Sequence, residues 1–80
     1  MGTDDLRIKL EEMLDTSQEG VSDTIDEIVA DMENGNKPMG TIFPAMTEED
    51  RVLMLKNMLD NEVDWKKRAK IAARIISEQL

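Results

Sequence analysis

The apolar residues of this chain recur at the three-and-four spacing of a helix face, and strand-type alternation is absent. The clearest run is Val21, Ile25, Ile28, Val29 and Met32, which share one side of a helix. Asp23, Asp26, Glu27, Asp31 and Glu33 spread over the rest. A helix over 17–33 follows. Thr16 to Glu19 has capping-box spacing at its start, Ser22 is a competing N-cap, and Gly20 falls in its first turns. Asn34-Gly35-Asn36 ends it, because Gly and Asn both tolerate the left-handed backbone that closes a helix.

The same spacing predicts three more helices. Leu6, Leu10, Met13 and Leu14 share a face over 3–15, with Asp4 and Asp5 at the positive end of the helix dipole. Over 47–60, Thr47 is the N-cap and Glu48, Glu49 and Asp50 fill the first turn. Val52, Met54, Leu55, Met58 and Leu59 cover a wide arc of that helix, while Leu53 points the other way. Asp60-Asn61-Glu62 marks a tight turn, and Asn61 or Asp64 caps a last helix over 63–79. That helix has three sectors: a core stripe of Trp65, Ala69, Ala72, Ile76 and Leu80, a separate stripe of Ile71 and Ile75, and a basic ridge of Lys66, Lys67, Lys70 and Arg74. Ala69, Ala72 and Ala73 allow close approach of another helix.

Between the two pairs lies a connection over 37–46 in which Pro38 and Pro44 forbid a continuous helix. Met39, Ile42, Phe43 and Met46 make it unusually apolar for a loop. Those side chains either plug one end of the molecule or leave Phe43 as an anchor for a partner. The expected fold is all-α: one domain over 1–80, a small four-helix bundle built from two helical hairpins with an apolar crossover loop.

Composition narrows the function. With no His, Cys or Tyr, the usual general base at neutral pH and the usual activated nucleophiles are missing. Ser17, Ser22 and Ser77 have capping or surface roles. Zinc sites and disulfides need residues the chain lacks. The run Asp31 to Gly35 fails as a calcium loop, since Ile42 stands where a bidentate Glu is required. No catalytic residue, cofactor site or metal ligand is expected, and the chain is not expected to be an enzyme. No apolar run spans a bilayer and no secretory signal opens the chain, so no membrane contact and a cytoplasmic location are expected.

The charge is uneven. Of the net -8, residues 1–36 hold -9, residues 37–63 hold -2 and residues 64–80 hold +3. Carboxylates such as Asp23, Asp26, Glu27 and Asp31 can imitate the regular charge of a duplex, so a DNA-mimicking inhibitor of a nucleic-acid enzyme is one reading. Compact acidic helical proteins of that kind occur among phage-encoded inhibitors of host enzymes. A small oligomeric nucleic-acid-binding protein using the basic ridge is another, opposed by the charge of the first half. The primary expectation is an acidic helical protein-interaction module, a regulator, adaptor or inhibitor that binds a protein partner and self-associates. It rests on apolar residues off the main stripes: Ile8, Leu53, Ile71 and Ile75. The expected contact patch is Leu53, Met54, Ile71 and Ile75, with Phe43 as a second anchor. The run Leu10 to Thr16, followed by an acidic helix, resembles the opening of some small terminase subunits of short-tailed phages. That likeness covers under a third of the chain and consists of leucine spacing with acids between.

Overall fold

The computed structural model describes residues 3–79, with side-chain surroundings for 4–79; Leu80, expected in the core stripe, lies outside them. Its elements are α1 (Thr3–Met13), α2 (Val21–Glu33), α3 (Glu48–Asn61) and α4 (Trp65–Gln79), an all-α four-helix bundle. Where helices begin and end follows from local hydrogen bonding. Thr47 Oγ1 accepts from the Asp50 amide at 3.2 Å, the expected N-cap of α3. Asp64 Oδ1 accepts from the Lys66 amide at 3.2 Å, which makes Asp64 rather than Asn61 the residue that opens α4. At the end of α2, the Asn36 amide reaches the Asp31 carbonyl at 2.9 Å and the Gly35 amide reaches Met32 at 3.1 Å. With Gly35 at φ 85, this is a Schellman closure.

The start of α2 differs from expectation. The helix begins at Val21, not at 17, and the Thr16–Glu19 capping box does not form. Asp15 competes for this stretch: its Oδ1 accepts from the Ser17 amide at 3.0 Å and from the Ser17 hydroxyl, which bends the chain into a turn. Those hydrogen bonds, the hydroxyl's first, hold the Asp15 carboxyl below its ordinary value. Gly20 then takes the N-cap position in the left-handed conformation at φ 84, with no side-chain cap. A Cβ on Gly20 would stand 3.1 Å from the Trp65 ring, so this glycine is what lets α2 start against α4. Gly20→Ala is expected to lose about 1–2 kcal/mol of stability, from the positive φ and the crowded indole together. An unchanged urea midpoint would mean that Trp65 is not seated on Gly20.

The two hairpins form, but α4 is shared between them. One core joins α1, α2 and α4 through residues such as Leu6, Leu10, Ile25, Ile28, Ala72 and Ile76. A second core lies on the other side of α4, where Ile71 and Ile75 meet Val52 and Leu55 of α3. The small side chains of Ala69, Ala72 and Ala73, each fully buried, let α1 and α2 approach α4 closely. So α4 is covered on two sides, and α3 leans on it from the second.

Candidate functional site

The expected apolar contact patch is divided by the fold. Ile71 and Ile75 are only 4% and 2% exposed, because α3 lies across them. They are core residues and present nothing to a partner. Leu53 and Met54 do face outward, at 62% and 40% exposure. Phe43 is half-buried in the connection, where its backbone takes φ 44. Met39 and Ile42 of the same connection pack against the second core, which is the plug arrangement. Of the expected patch, the outward part is Leu53 and Met54 on the far side of α3; elsewhere Ile8 of α1 and Val63, between α3 and α4, are exposed singly. Beside Leu53, an open groove is lined by Glu48, Glu49, Val52, Lys56 and, from α4, Gln79.

The charged surfaces also change once folded. Asp23, Asp26, Glu27 and Asp31 are all exposed along α2. Asp26 is ion-paired with Arg7 of α1. Asp23 and Glu27 share a groove with Trp65, Lys66 and Lys70, so the acids of α2 stand opposite lysines of α4. Lys66 also sits 6.0 Å above the Trp65 ring. Neither sign of charge forms an uninterrupted field on this side of the molecule.

Arg74 is not part of the basic ridge. It is 5% exposed, on the side of α4 that receives the connection. Its Nε donates to Glu78 Oε1 at 2.9 Å, and its terminal nitrogen donates to the carbonyls of Pro38, at 3.0 Å, and Gly40. The other carboxylate oxygen of Glu78 accepts from Arg51 Nε at 3.0 Å, and Arg51 also holds the Met46 carbonyl. One carboxylate thus ties both ends of the 37–46 segment to α3 and α4. Burial pushes the Glu78 carboxyl up, but the hydrogen bonds from Arg51 and Arg74, with their charges, outweigh it and hold it below its ordinary value. Arg68 closes the α3–α4 turn by donating to the carbonyls of Leu59 and, at 2.9 Å, Glu62. Sequence reasoning passed over Arg51, Arg68 and Glu78. The Arg74–Glu78 spacing of four was a legible signal, whereas the Arg51–Glu78 pair spans 27 positions and has none.

No family model, curated protein or solved structure matches the chain. The likeness of Leu10 to Thr16 to terminase openings remains leucine spacing alone, and α1 ends inside it, at Met13. Among the described residues, no three carboxylates converge to hold a metal ion. Among them, too, no helix is long and apolar enough to cross a membrane.

Proposed function

We propose that the chain is a small acidic protein-interaction module, a regulator, adaptor or inhibitor, that receives a protein partner on the outer side of α3. The observation that carries this reading is the pair Leu53 and Met54, large apolar side chains left outward on a helix supported from one side only. A helix face with an exposed Leu and an adaptable Met suits the groove or helix of another protein. The DNA-mimic and nucleic-acid readings are weaker, because the α2 acids and the α4 lysines line a common groove and blunt each other's field.

The test is capture of proteins from native cells by the wild type and by two variants. In Leu53→Asp, Met54→Asp, binding is expected to disappear while the fold is kept at a cost of about 1 kcal/mol, since Leu53 is mostly and Met54 partly exposed and Asp is the poorer helix former. In the variant that neutralises Asp23, Asp26, Glu27 and Asp31 to Asn or Gln, binding is expected to survive. The opposite pattern would replace this reading with the mimic.

A further inference from the structure

We infer that the outer side of α3 pairs with the α3 of a second copy of this chain, antiparallel, across a two-fold axis through Leu53. The inference rests on the reading of that side as the binding surface and names its partner. The argument is one of charge and register. An isologous interface must be self-complementary, so residue 53−n of one copy lies level with residue 53+n of the other, and side chains near one level meet where they share a flank of the helix. Along α3 the acids Glu48, Glu49 and Asp50 stand in the first turn, and Lys56 lies on the other side of Leu53. Antiparallel pairing through Leu53 brings each Lys56 against the partner's Glu49, which shares its flank of the helix and lines the same groove beside Leu53.

The rest of the register is compatible. Leu53 meets itself on the axis, where it is the most exposed apolar side chain of α3. On the other flank Asp50 meets Asn57, so no carboxylate of the first turn opposes a carboxylate. A parallel pairing would put the three first-turn acids of one copy against those of the other. Arg51 cannot supply the positive charge instead, because Glu78 and the Met46 carbonyl already hold it. Among the described residues Lys56 has no intramolecular ion pair, which leaves its ammonium for the partner. Both copies carry a net charge of -8, and physiological salt screens that repulsion beyond about 8 Å while the contact pairs persist. One helix crossing is a small interface, so the pairing is a weak, concentration-dependent one.

The experiment is a charge swap read by sedimentation of the full chain from micromolar to millimolar concentration. The wild type is expected to move from monomer mass to twice that mass across the range. Lys56→Glu opposes Glu49 with a like charge, and Glu49→Lys opposes Lys56 likewise; each alone is expected to weaken association at least about tenfold. An equimolar mixture of the two restores an attractive pair at both ends of the crossing, and its association is expected to return to near the wild-type level. Leu53→Asp, exposed and away from the helix cap, serves as a second disrupting variant should Glu49→Lys impair folding, which far-UV circular dichroism reports.

A wild type that stays monomeric throughout overturns the inference. So do variants that associate like the wild type, or a mixture that stays monomeric. The two readings fail separately. A monomeric wild type whose capture of another protein still depends on Leu53 and Met54 sinks the pairing and leaves the α3 docking surface. A successful charge swap with capture untouched by Leu53→Asp, Met54→Asp does the reverse.

Discussion

Ile71→Glu combined with Ile75→Glu is expected to leave the protein unfolded at room temperature. Each isoleucine sits almost wholly inside the contact between α3 and α4, against Val52 and Leu55. Removing each side chain forfeits about 2 kcal/mol of buried apolar surface. Each new carboxylate would enter a cluster of apolar side chains, and Arg51 and Arg74 are already held by Glu78 and backbone carbonyls, so it must take up a proton or draw in water, for a further loss of several kcal/mol. A domain of this size has on the order of 5–10 kcal/mol to lose. Far-UV circular dichroism with a thermal melt reads the result: low helicity and no cooperative transition. A variant with wild-type helicity and melting would show that α3 does not cover this side of α4 in solution. The same double change on an exposed patch would have left the fold intact, so the outcome separates the two placements of these residues.

Glu78→Gln is expected to destabilise the protein by about 2–3 kcal/mol, with an effect that depends on pH. The carboxylate accepts from Arg51 and Arg74 at once, and Arg74 is buried. Gln keeps the shape but removes the charge, and it leaves two guanidinium groups sharing one neutral acceptor. The anchoring of Pro38, Gly40 and Met46 loosens with them. The folded carboxyl is held below its ordinary value of 4.5, so the ionised form favours the folded state. Its contribution is therefore complete above that value and is lost as pH falls through the lowered folded value. Urea unfolding of both proteins from neutral pH downward checks this. The gap between them should be constant down to about pH 5 and narrow below the ordinary value. A gap that is absent at neutral pH, or that widens in acid, would mean that the arginines do not depend on Glu78.

Helical periodicity carried much of the fold because each helix must bury one face, and a buried face leaves a repeat that neighbouring residues display directly. That is why α2 and α3 stand close to where spacing and caps put them, and why Asn34-Gly35-Asn36 stops α2 as expected. The Thr16–Glu19 box failed for an equally local reason: Asp15 offered the Ser17 amide and hydroxyl a nearer acceptor. Gly20 then caps α2 in the left-handed conformation, close against Trp65, which lies far along the chain.

The surfaces were less legible. Ile71 and Ile75 form a second apolar stripe on α4, and such a stripe is the same pattern whether a second helix of the chain or another molecule covers it. Arg74 shares the four-residue spacing of the lysines, yet it alone turns inward, because Pro38, Gly40 and Glu78 offer acceptors that only the folded chain assembles. By itself the sequence determined the all-helical class, the helix stops and the charge of each segment, since these depend on residues within a turn or two of each other. That both stripes of α4 are core, which cations are free and which side of α3 meets solvent depended on the order in which helices stack. That order is chosen by the total apolar area buried across the whole molecule, and no stretch of the chain contains it.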